Sequence, residues 1–83
     1  MNMEIPVQFY SYFRELTGRE SATVSLENGA TIQGLLETLF GRFPKLAEMP
    51  NSILVAVGVE YQSRDYVLTE GDEVSLFPPV QGG

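Results

Sequence analysis

The chain has no cysteine, no histidine and no tryptophan among its 83 residues. Without cysteine there can be no disulfide, thiolate nucleophile or iron–sulfur cluster. Without histidine the commonest general base and the usual nitrogen ligand of zinc are gone too. A metal held by carboxylates alone is formally open, but no metal site is expected. Basic residues are also scarce: five Lys and Arg face eleven Asp and Glu, for a net charge of -6. Such a chain repels the phosphates of nucleic acid and an anionic membrane surface, so neither is an expected partner. A protein with a positive docking surface suits it better. No apolar run approaches a membrane span and no basic-then-apolar leader opens the sequence, which makes the cytoplasm the expected compartment. Eighty-three residues feed one hydrophobic core, so residues 1–83 are expected to form a single domain. With so little catalytic inventory, a stand-alone enzyme is not expected.

What is present is patterned. From Glu4 to Tyr10, Ile5, Val7 and Phe9 alternate with Pro6, Gln8 and Tyr10, the period of a strand with one buried face. Pro6 cannot donate a backbone hydrogen bond, which predicts one-sided pairing near the start of this strand. Ser11 to Leu16 fits a short helical turn broken at Thr17-Gly18, and Ser21 to Leu26 a second strand with Ala22, Val24 and Leu26 inward. Thr31 is placed to cap a helix whose stripe runs through Ile32, Leu35, Leu36, Leu39, Phe40 and Phe43, and Pro44 ends it. Pro44 can open a further short turn carrying Leu46. The apolar run Ile53 to Val57 predicts a strand covered at least partly on both faces. A turn at Gly58, a short piece at Tyr61, a turn at Glu70-Gly71-Asp72 and a last strand from Glu73 to Phe77 follow, with Val74 and Leu76 inward. This order implies an α+β architecture: a four- or five-stranded sheet with one main helix across a face. Pattern alone leaves the strand order open.

Three features could carry chemistry. The acids Glu70, Asp72 and Glu73 read first as a solvated hairpin loop, and second as a docking patch for a basic partner. Arg14, Arg19, Arg42, Lys45 and Arg64 are scattered along the chain, outside any glycine-rich phosphate motif. Tyr10, Phe13 and Tyr61 could equally be core, surface or contact rings. The third feature is the end of the sequence, Phe77-Pro78-Pro79-Val80-Gln81-Gly82-Gly83. Two prolines keep a segment extended and lower the entropy lost when a partner orders it. Two residues without Cβ atoms can thread a narrow channel and present an unhindered carboxylate. Residues 78–83 are thus expected to form an extended tail.

The segment from Gly71 to Gly83, GDEVSLFPPVQGG, closely resembles the end of the small subunits of molybdopterin synthase, a family of ubiquitin-like sulfur carriers. The run Tyr12, Phe13, Arg14, Glu15, Leu16 with Gly18 is similar to that family's aromatic-Arg-Glu-Leu segment. The helix to Phe43 and the strand Ile53 to Val57 match its middle, so the resemblance spans essentially the whole chain. One departure is a missing Asn in the turn near Val57-Gly58-Val59, where Gly58 is expected to serve instead. The resemblance implies a β-grasp (ubiquitin-like) fold with a mixed sheet. It implies that Gly83 is adenylated by an E1-like activating enzyme using ATP, then converted to a thiocarboxylate by a sulfur donor protein. The chain itself binds no cofactor on this reading. Gly82 gives access, while Phe77, Pro78, Pro79 and Val80 contact the large synthase subunit, where the sulfur passes to cyclic pyranopterin monophosphate. Related carriers for thiazole synthesis or transfer-RNA thiolation, and protein modifiers, share this end and are the alternatives. A binding module with an incidental tail is the alternative of a different class.

Overall fold

The computed structural model describes residues 2–48 and 52–79. Alternation dominates its first half. Strand β1, Asn2–Phe9, turns Met3, Ile5, Val7 and Phe9 inward, and β2, Ser21–Glu27, does the same with Ala22, Val24 and Leu26. The two pair antiparallel in unbroken register from Asn2↔Glu27 to Gln8↔Ser21. Between them, helix α1 (Phe13–Thr17) drives Phe13 into the core. Helix α2, Ile32–Arg42, starts where the Gly34 N–H donates to the Thr31 hydroxyl at 3.3 Å, as the capping position predicts. Ile32, Leu35, Leu36 and Leu39 are buried against the sheet, and a single 3-10 turn, Leu46–Glu48, adds Leu46.

Strands β3 (Leu54–Val57), β4 (Glu60–Tyr61) and β5 (Val74–Phe77) complete a five-stranded sheet in the order β2-β1-β5-β3-β4. The sheet is mixed: β5 runs parallel to β1 and antiparallel to β3. This is the ubiquitin-like β-grasp arrangement, one helix held across one face of a mixed sheet. Val74 and Leu76 are fully buried beneath it.

Four details refine the sequence expectations. The β5 ladder begins at Val7↔Val74, one residue after Pro6, so the missing donor falls where β1 has β2 as its ladder partner. The run Ile53 to Val57 is covered less evenly than an apolar run suggests, because Leu54 lies on the open face and is 36% exposed. The acidic turn does not close a hairpin: β5 pairs with β1 and β3, and the chain before the turn touches the helix entry through a bridge between Val67 and Thr31. That bridge buries Leu68, whose N–H donates to the Ala30 carbonyl at 2.8 Å, a core residue with no periodic pattern to announce it.

Gly41 lies inside α2 with open space where a Cβ would stand. Gly41→Ala should therefore stabilise the fold by about 0.5–1 kcal/mol, read as a raised urea midpoint with an unchanged slope.

Candidate functional site

The helix covers one face of the sheet. On the other, β1 presents Tyr10 just past its end, β5 presents Ser75 and Phe77, β3 presents Leu54 and Ala56, and β4 presents Tyr61. The registers Leu54↔Phe77, Ala56↔Ser75 and Ala56↔Tyr61 fix these neighbours. The Tyr10 N–H donates to the Leu76 carbonyl at 3.2 Å and holds the Tyr10 ring beside Phe77. Their rings stack at 4.7 Å and 10°, while Tyr61 meets Phe77 edge-on at 6.2 Å and 80°. Each such pair adds about 0.5–1.5 kcal/mol beyond area burial. Even so, Tyr10 and Tyr61 remain 42% and 65% exposed, and Leu54 joins them. Exposed apolar patches of this kind are where proteins commonly meet other proteins, which makes this face the candidate docking surface.

Beside this surface runs an open groove of about 690 Å³, lined by Gln8, Tyr10, Gly58, Glu60, Tyr66 and Glu73 among others. Gly58 adopts a φ of +63° and donates its N–H to the Glu73 carbonyl at 2.9 Å, so it serves the turn in place of the absent Asn. The Asp72 carboxylate is committed to its own turn: it accepts from the Thr69 N–H at 2.9 Å, the Thr69 hydroxyl at 3.2 Å and the Tyr66 hydroxyl at 3.3 Å. It organises the entry to β5, which fits the loop reading better than the docking one. No group of three or more acids among the described residues is arranged to hold a metal ion.

Burial, then the Asp72 charge and hydrogen bond, and least of all the Glu60 charge, raise the Tyr66 phenol above its ordinary range. The unfolded chain then loses this proton first, so stability is full below about pH 10 and falls as pH rises through the raised folded value. Tyr66→Phe should flatten that alkaline decline, measured by urea unfolding at successive pH values from 9 upward.

Of the residues singled out from sequence, Phe77 sits at the centre of the exposed surface and Pro78 and Pro79 follow it directly, all three half-buried. Val80, Gly82 and Gly83 lie outside the described residues. Phe13 is core, whereas Tyr10, Tyr61 and Leu54 are brought to the surface around Phe77 by pairings that sequence spacing does not disclose. The basic residues are less scattered than they look in sequence: Arg19 and Arg42 both stand over the Phe43 ring, at 6.0 and 5.4 Å from its centre.

Comparison with known proteins points the same way. The family model described as the ThiS family matches residues 7–83. A molybdopterin synthase sulfur carrier subunit from Arabidopsis thaliana is 33% identical over 82 residues, spanning 99% of this chain and 85% of that protein. Small archaeal modifier protein 3 from Haloferax volcanii is 32% identical over 92 residues, spanning 98% of this chain and all of that one. The crystal structure of SAMP1 from Haloferax volcanii superposes with a TM-score of 0.86 at 26% identity, covering 96% of this chain and 99% of that one.

Proposed function

The chain belongs to the ThiS family of ubiquitin-like sulfur carriers, and on that premise we propose that it is the sulfur-carrying subunit of a molybdopterin synthase. The observation that carries the reading is the union of two features. The exposed surface of Tyr10, Phe77, Tyr61 and Leu54 stands at the end of β5, and Pro78-Pro79 lead from it toward Gly82-Gly83.

The chemistry needs nothing from the carrier's side chains. A carboxylate resists acyl transfer because its oxygen is a poor leaving group. An E1-like activating enzyme couples the Gly83 carboxylate to ATP, releasing pyrophosphate and forming an acyl-adenylate. Attack by a hydrosulfide equivalent from a sulfur donor protein expels AMP and leaves the Gly83 carbonyl carbon bonded to sulfur. Gly82 and Gly83 enter the large subunit's channel without Cβ bulk, and the sulfur passes there to cyclic pyranopterin monophosphate. The groups that stabilise these transition states sit on the partners, in sites closed to water. The cytoplasm is the compartment this reading assigns.

The family match running to residue 83 supports placing the acyl group on Gly83. The Arabidopsis relative supports the synthase branch, since its name describes a synthase subunit. A second reading, conjugation of Gly83 to partner lysines, is favoured by the full-length match to an archaeal modifier protein. One reconstitution separates them. The chain is loaded with sulfur by an activating enzyme, ATP and a sulfur source, then mixed with the large subunit and the pterin precursor. Molybdopterin should form; a confirmed thiocarboxylate that yields none would reject the synthase assignment and leave the carrier class standing.

Phe77→Ala should weaken binding to the large subunit by about thirtyfold or more, as central aromatic anchors do, with only a modest loss of fold stability. Titration calorimetry against the isolated large subunit reads the first quantity and thermal unfolding the second.

A further inference from the structure

We propose that the outer edge of β2 is a strand-addition site for an extended acidic segment of a partner protein, with Arg42 and Arg19 as its electrostatic anchors. The ladder fixes which backbone groups are offered. The Phe9 N–H donates to the Glu20 carbonyl at 2.9 Å and the Tyr10 N–H to Leu76, so odd residues of β1 bond toward β2 and even ones toward β5. Through the register, Ala22, Val24 and Leu26 exchange bonds with β1. Ser21, Thr23, Ser25 and Glu27, opposite Gln8, Pro6, Glu4 and Asn2, direct their N–H and C=O groups off the sheet.

From Ser21 to Ser25 this edge lacks the usual protection, and Glu27 is the one charged residue of the strand. Exposed edges are normally shortened, bulged or charged with lysine or proline to prevent pairing. The opposite edge, β4, is blunted in this way, being two residues long. β2 has seven residues and seven consecutive register pairs, and Ser21, Thr23 and Ser25 along its rim are small and uncharged. Among the described residues, a side chain bonds to this edge. The Arg42 guanidinium reaches across from the end of α2 and donates to the Thr23 carbonyl at 3.0 Å. The same guanidinium lies over Phe43, as does that of Arg19, two residues before β2 begins.

Two guanidinium groups, Arg42 and Arg19, therefore stand at one end of this edge, with Glu20 between Arg19 and the strand, on a chain of net charge -6. An incoming strand would take over the Thr23 carbonyl through its own N–H. Its carboxylates would accept Arg42 in a charge-assisted bond, stronger than the bond to a neutral carbonyl that Arg42 gives up. A second copy fits poorly: antiparallel pairing about Val24 would bring two Arg42 guanidinia to one seam between two acidic chains. The edge lies on the far side of the sheet from β3 and β4, so its occupation is compatible with engagement of the Phe77 surface.

The test is amide hydrogen exchange by NMR on the full chain, titrated with a short blocked peptide of alternating aspartate and valine. Exchange at Thr23 and Ser25 should slow saturably by about tenfold or more, with the amides around Phe77 and Tyr61 unchanged. The alternating lysine–valine peptide should be the weaker ligand, and Arg42→Glu, confirmed folded by its spectrum, should reverse that preference. Equal response to both peptides, no saturable slowing, or slowing that spreads over the Phe77 surface instead would overturn the proposal. So would Thr23 and Ser25 protection that grows with protein concentration in the absence of peptide, because the occupant would then be a second copy.

Discussion

Deleting Gly82 and Gly83 should abolish sulfur loading while leaving the thermal unfolding midpoint unchanged to within about 1 °C. Neither glycine has a side chain to bury in a core, whereas Gly83 is the residue proposed to carry the reacting carboxyl. Gly83→Ala is the milder form of the same change. It keeps the carboxylate and adds one methyl group at the reacting carbon's neighbour, so any loss arises in the channel of the activating enzyme or large subunit. Loading should drop by about tenfold or more, since a small misplacement of reacting atoms is costly in rate. Intact-mass measurement of the loaded fraction after a fixed time reads the effect, and circular dichroism melting reads the fold. A parallel fall in both quantities would mean that the tail helps hold the domain together.

Leu76→Ala is the complementary change and should act on the fold first. Leu76 is fully buried in β5, the strand that joins β1 to β3 at the middle of the sheet. It lies opposite Phe9 on one side and Val55 on the other, both of them core residues. Truncation removes the transfer energy of the lost methyl and methylene groups and leaves a cavity that a sheet centre cannot easily collapse, a cost of about 2–5 kcal/mol. For a chain of this size that means a melting point lower by about 8 °C or more. At temperatures where the variant remains folded, sulfur loading of Gly83 should continue. The two substitutions, seven residues apart, thus separate a residue that builds the fold from the one proposed to carry the sulfur.

The elements that a single segment dictates were legible in the sequence. The alternation Ile5, Val7, Phe9 and Ala22, Val24, Leu26, the cap at Thr31 and the stripe through Leu39 each depend on neighbours within one turn or one strand, and the structure has them in those places. Met3 extends the first alternation by two residues toward the start. What spacing does not contain is the partner of each strand. The surface around Phe77 exists because β5 lies between β1 and β3, which puts Tyr10 on one side of that ring and Leu54 and Tyr61 near the other. Those residues are 67, 23 and 16 positions from Phe77 in sequence, so no local pattern links them. Leu68 shows the same limit inside the core: it is buried by a single bridge and one hydrogen bond to Ala30, with no periodicity of its own. The acidic turn illustrates the reverse case. Its composition suggests a charged loop, yet only the fold brings the Asp72 carboxylate onto Thr69 and Tyr66.

The absence of cysteine and histidine gives the account its sharpest edge. A sulfur carrier without a thiol is suited by a carboxyl group, and the proposal places the sulfur on Gly83, after Gly82 and the Pro78-Pro79 pair. The most direct measurement is mass spectrometry of the intact chain and of its C-terminal proteolytic peptide, after incubation with an activating enzyme, ATP and a sulfur donor. The account predicts that one oxygen is exchanged for sulfur, that the exchange maps to the Gly83 carboxyl, and that it disappears when ATP is withheld. Sulfur found on any other residue, or an unmodified Gly83 with an activating enzyme proven active on its own carrier, would contradict it.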